Sequence, residues 1–210
     1  MTDDDESRRT TVLRASRLEA FSDGVFAIAI TLLVLEISVP EGSEEDLLAA
    51  VLDQWPSYLA YVISFATVGA IWLAHSVVTE YLHHVDRWFV RINLLLLLLV
   101  SFLPFPTRLL AESVDSSEAA SVATTVYGLT LLGAGLVLSA LWRHAVRSHL
   151  VHEETADAEL EVLTGKLTPG LAGYLGMIVL GLFFPLVAVF GYLLIAVFYL
   201  VPFRPLRGRT

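Results

Sequence analysis

Three side chains stand where a lipid-like environment should exclude them: Asp23, His75 and Asn93, each inside a different apolar stretch of the sequence. A carboxylate or imidazole within a membrane span is costly unless it is paired, so such residues are functional candidates by default. They can do one of two kinds of chemistry. Asp23 and His75 can exchange protons, or all three can hydrogen-bond one another and fix the segments that carry them. Each has a plainer alternative, an interfacial capping role for Asp23 and a hydrogen-bonded structural role for a lone buried histidine. All three sit toward the same end of their segments, so they can meet at one depth.

Other chemistry is scarce. The chain has no cysteine, which excludes disulfides, thiolate catalysis and sulfur-ligated metal. No G-x-S-x-G, HExxH or phosphate loop occurs, so an enzyme is not expected and neither is a cofactor or a metal. Thr125-Val126-Tyr127-Gly128 superficially resembles a TVGYG carbonyl filter, but it lacks the glycine before tyrosine and the preceding pore helix. His83, His84, His144, His149 and His152 are the types that bind metal or sense pH, yet nothing in their spacing fixes a geometry; they read as solvated loop residues. Gly170, Gly173 and Gly176 read as a small-residue face for close helix packing.

The elements that must position these residues follow from composition. The 210 residues are 56% hydrophobic and 17% charged. Soluble domains run near 45–50% and 25%. A helical span needs about 20 apolar residues, so the chain is expected to be an all-α integral membrane protein with no appended soluble domain. Six spans are predicted, at about 18–39, 56–79, 88–110, 119–142, 168–184 and 186–203, the last two short, with a polar linker over 143–167 that begins as a helical extension and turns near Gly165. Pro40 ends the first, and Pro104 with Pro106 should kink or unwind the outer end of the third. The last apolar stretch is long for one span and short for two; Pro185 at a helix start favours two. The loop from Glu41 to Asp53 is acidic, and no leader peptide is expected before the first span.

Charge placement tests the count independently, because cytoplasmic loops are enriched in Lys and Arg. With six spans and both termini inside, twelve of the 13 basic residues are cytoplasmic and only Arg108 lies outside. The net charge of −9 argues against a nucleic-acid partner. Within the first helix each residue turns by about 100°. Taking Ile28 as zero, Thr31, Leu32 and Leu35 fall within about 60° of it, while Asp23 lies about 140° away. An apolar stripe of this kind suits packing against lipid or core, packing against copies of itself, or a pore wall; periodicity alone does not choose.

The stretch Arg17-x-x-x-Phe21-Ser22-Asp23-Gly24-Val25-Phe26-Ala27-Ile28-Ala29-Ile30-Thr31-Leu32 resembles the first helix of the prokaryotic transmembrane protein 175 family of potassium-permeable channels. Looser support comes from Trp72, His75, Asn93 and the six-span count. The resemblance implies a homotetramer in which helix one of each subunit lines a central pore. It implies that Ile28 forms the narrowest ring, with Thr31, Leu32 and Leu35 forming further rings outward. It also implies that Arg17, Phe21, Ser22 and Asp23, with His75, hold helix one in place; Asn93 joins them on the residue reading alone.

A ring of isoleucines offers a cation no oxygen, so it can gate by dewetting and must discriminate by the cost of dehydration. Potassium holds its water less tightly than sodium, and the expected selectivity is therefore weak. Glu36 and the acidic outer loop would concentrate cations at the mouth. The first functional expectation is a potassium leak channel of a bacterial plasma membrane, with the lipid bilayer, potassium ions and copies of itself as partners. The second is a proton-coupled secondary transporter using Asp23 and His75, and the third a membrane scaffold that conducts nothing.

Overall fold

The computed structural model describes residues 15–40, 42, 44–114, 116–152 and 170–201. Their regular structure is helical: α1 (Ala15–Leu32), α2 (Leu47–Asp53), α3 (Trp55–Glu80), α4 (Arg87–Phe102), α5 (Pro104–Glu112), α6 (Ser117–Arg147), α7 (Gly170–Gly181) and α8 (Pro185–Leu200). Four stretches are long and apolar enough to cross a membrane, namely Ala15–Glu36, Trp55–Glu80, Arg87–Glu112 and Ser117–Arg147. The protein is thus a multi-pass helical membrane protein. Many of its large side chains outside the core are apolar and exposed, among them Leu98, Leu136, Phe190 and Leu194, as a surface solvated by lipid requires.

Local sequence sets the boundaries. Asp86 caps α4, its carboxylate accepting from the Phe89 N–H at 2.6 Å, and Ser116 caps α6 through the Ala119 N–H. Proline occupies the first turn of α3, α5 and α8, where its missing N–H costs no hydrogen bond. The third apolar stretch breaks at Leu103, between α4 and α5, because Pro104 cannot donate to the ladder; the Leu103 N–H instead closes a tighter turn onto Val100. The end of α1 tightens as well, passing into 3₁₀ winding over Leu33–Glu36.

One feature departs from the sequence expectation. Part of the acidic loop 41–53 is helical, because Asp46 caps α2 through the Ala49 N–H and Leu47, Leu48 and Leu52 form an exposed apolar face. The fourth long helix continues to Arg147, into the start of the polar stretch, while residues 153–169, with Lys166 and the turn expected near Gly165, and the C-terminal arginines lie outside the described set. The last apolar stretch divides before Pro185 into two short helices, Gly170–Gly181 and Pro185–Leu200, among the described residues.

α3 is the hub, packing against α1, α5 and α8, while α4 packs along α6. One core runs through all of them and contains Trp142, Tyr127, Tyr192, Phe26 and Phe89, all at most 2% exposed. Gly128 on α6 is required by this packing, since a Cβ there would collide with the Tyr192 phenol and Ile178. Gly170 and Gly173 likewise face Tyr199 and Ile195, whereas Gly176 faces open space. Tyr127 and Gly128 are therefore packing residues inside α6 and form no carbonyl filter.

Candidate functional site

The site is α1 and what holds it. Its buried face is Leu18, Ser22, Phe26, Ala29 and Leu33, spaced four, four, three and four, and this face lies against α3 and α4. The opposite side carries Ile28, 60% exposed, Leu32, 41%, and Leu35, 71%, with Thr31 exposed beside them. The apolar stripe therefore faces away from its own subunit's core. The Thr31 hydroxyl donates to the Ile28 carbonyl at 2.9 Å, so its remaining lone pairs point outward from the helix.

Three side chains fasten the buried face in a directed chain. His75 of α3 meets the Asn93 amide of α4 at 2.8 Å, Asn93 Nδ2 donates to Ser22 Oγ at 2.9 Å, and Ser22 donates to the Leu18 carbonyl at 2.9 Å. The Ser22 hydroxyl spends its proton on that carbonyl, so it must accept from the Asn93 NH₂. That leaves the amide oxygen to accept, and His75 Nε2 carries the proton. All three residues are fully buried. Among the described residues His75 Nδ1 has no hydrogen-bond partner, and the Phe26 ring lies tilted against the imidazole with ring centroids 5.5 Å apart.

Asp23 is not in that chain. Its carboxylate accepts instead from the Trp72 indole N–H at 2.9 Å, a second tie between α1 and α3 one residue further along. His75, Asn93 and Asp23 thus occupy the same region of the three helices, with Asp23 turned to a different partner. Arg17 and Phe21 stand apart: both are exposed, Phe21 at 56%, and Arg17 forms no ion pair among the described residues. Glu36, half-buried, ends the 3₁₀ turn within electrostatic reach of Arg108, which is paired to Glu112 at 2.7 Å.

A second buried chain escaped the sequence reading. Thr107 of α5 donates to the Leu103 carbonyl, so Ser64 of α3 donates to Thr107 at 2.7 Å and accepts from the Tyr127 phenol of α6 at 3.0 Å. Serine and threonine in apolar helices routinely bond their own preceding carbonyls, as Thr67 does, and so carry no signal by type alone.

At the opposite end of the bundle Asp86 joins α4 to α6. His144 Nε2 lies 2.9 and 3.0 Å from its two oxygens. Partial burial pushes the Asp86 carboxyl upward, but the Phe89 N–H and His144 outweigh it and hold the group below the usual carboxylate range. His83 contacts both His84 and His152 edge to face, beside a two-residue β-bridge between Leu82 and Val151. Among the described residues no group of histidines and carboxylates has a geometry that holds a metal ion.

A bundle of long apolar helices whose first helix is fastened through Ser22 and Asp23 and bares an apolar stripe is a polytopic membrane protein. The family profile described as endosomal/lysosomal potassium channel TMEM175 matches residues 17–104, the stretch from the start of α1 to the α4–α5 break. A protein named potassium channel from Streptomyces collinus is 45% identical over 69% of this chain and 70% of its own length. Another of that name from Chamaesiphon minutus is 44% identical over 74% and 79%. The crystal structure of a lysosomal potassium-selective channel TMEM175 homologue from Chamaesiphon minutus superposes with a TM-score of 0.81, at 38% identity, over 89% of this chain and 96% of that one. The chain belongs to the TMEM175 family.

Proposed function

We propose that this protein is a potassium-selective leak channel, not an enzyme, in which four copies surround a pore walled by α1. The single observation that carries the reading is the exposed stripe Ile28, Thr31, Leu32 and Leu35, set opposite a buried face locked to α3 and α4. A helix held this firmly on one side and bare on the other suits a partner surface, and copies around an axis supply one. The names of the relatives support potassium as the permeant ion.

In this arrangement Ile28 forms the narrowest ring and the neck is apolar. An ion crossing it sheds or keeps water without replacement ligands, so selectivity arises from dehydration cost and is weak over sodium. The Thr31 hydroxyls add a polar ring and Glu36 draws cations to the outer mouth. Ser22, Asp23, His75 and Asn93 act as positioning residues, Arg17 and Phe21 as residues of the same helix whose exposed side chains meet the neighbouring subunit or the membrane surface. The basic ends place both termini in the cytoplasm of a bacterial cell, with the protein in the plasma membrane.

The experiment is potassium flux into liposomes carrying wild type, Ile28→Ala or Ile28→Asn. Widening or wetting the ring raises flux and lowers the potassium-to-sodium ratio; unchanged conductance and ratio in both variants refutes the pore assignment. The coupled-transporter reading needs proton passage between Asp23 and His75. Each of these is bonded to a different residue, Trp72 and Asn93, and no hydrogen bond between the two is among the described contacts.

A further inference from the structure

Two of the outward-facing stripes end in arginines at the same level. On α4 the exposed apolar positions Leu98, Leu95 and Leu94 give way to Arg91 and Arg87; on α6 Leu129 and Leu136 give way to Arg143 and Arg147. The level is fixed by the contact between Asp86 and His144 at 2.9 Å, because Arg87 follows the one and Arg143 precedes the other. Within each helix the arginines are one turn apart and exposed. Asp86, the carboxylate at this junction, is already taken by the Phe89 N–H and His144, and among the described residues none of the four guanidiniums has an acidic partner. Trp88, 61% exposed, carries the Arg91 guanidinium 4.9 Å from its ring centroid, the placement of an interfacial tryptophan that holds a cation at headgroup depth.

Between the two stripes α4 meets α6 at Gly133, where a side chain would touch Leu99 of α4 at 3.5 Å. We propose that the surface over this α4–α6 seam is the binding site of an anionic phospholipid, its phosphate headgroup held by Arg87, Arg91, Arg143 and Arg147 and an acyl chain laid over Leu99 and Gly133. Charge complementarity selects the lipid: four cations with no acidic partner among the described residues match a headgroup with net negative charge, and planar guanidiniums bind phosphate oxygens in pairs. A zwitterionic headgroup carries its own ammonium and gains little. The site does not depend on conduction through α1.

The test is native mass spectrometry of the full chain in detergent, titrated with a one-to-one mixture of dioleoyl phosphatidylglycerol and dioleoyl phosphatidylcholine. Wild type retains phosphatidylglycerol preferentially, and each arginine replaced by glutamine weakens that preference by about five-fold, the effect of one basic residue near a charged membrane surface. R87Q/R91Q and R143Q/R147Q are compared with R8Q/R9Q, which removes the same charge elsewhere. Loss in the first two pairs with retention in the third supports the site, and monodisperse gel filtration establishes that the variants are folded. Equal retention of both lipids by wild type, or equal loss in all three pairs, overturns it.

Discussion

Asn93 controls how α1 is seated, because its single amide accepts from His75 and donates to Ser22. Asn93→Ala leaves a buried imidazole N–H unpaired, and a stranded buried polar group costs about 1–3 kcal/mol. The expected result is a clearly lower unfolding midpoint in detergent, read by fluorescence-detected gel filtration, with smaller losses for Ser22→Ala. Asp23→Asn keeps an oxygen for the Trp72 N–H, so potassium flux should persist; abolition of flux with an intact fold would instead favour proton coupling. The candidate residues were legible because Asp, His and Asn are conspicuous in apolar sequence. Their pairing was not. Spacing places Asp23, His75 and Asn93 at one depth, but the rotation of α1 decides that Ser22 meets Asn93 while Asp23 turns to Trp72.

The helices and their ends are where sequence signals were strongest and where they misled. Pro104 marked the break at Leu103, since a missing donor acts locally whatever the packing. The helix α2 was hidden, because Glu44, Glu45 and Asp46 read as loop while Asp46 in fact caps the turn that follows. Capping also matters at Asp86. Asp86→Ala should cost about 1 kcal/mol, the usual value of an N-cap. Its folded-state pKa lies below the ordinary 3.8. The contribution is therefore present above that value and is lost as the pH falls through the lower folded one, so the difference in unfolding midpoint between wild type and D86A should hold at pH 7 and shrink below about pH 4. Gly128→Leu should drive Tyr192 and Ile178 off α6; the measurement is accelerated proteolysis between α6 and α8 relative to wild type.

At the scale of the whole molecule, membrane residence was legible from composition alone, since an excess of apolar residues has no place in water. The number of copies was not, because an exposed apolar stripe says nothing of how many surfaces meet it. The expected mass of the solubilised protein complex is about four times 23.1 kDa, measured by light scattering with the detergent contribution subtracted. A monomer would leave Ile28 facing lipid and remove the wall. α6 spans about 46 Å at 1.5 Å per residue, well beyond the hydrocarbon thickness, which carries Arg143 and Arg147 toward the aqueous boundary.

The 3₁₀ winding over Leu33–Glu36 alters what α1 displays at its upper end. Residues three apart eclipse in that geometry, and each step rises about 2 Å rather than 1.5 Å. Leu35 accordingly stands directly over Leu32, about 6 Å higher, instead of drifting sideways as a continuing α-helix would carry it. In the proposed pore, two leucines stacked in one column on each copy would make a short straight sleeve, and a solute travelling along it would meet the same greasy lining for longer than any single collar would impose.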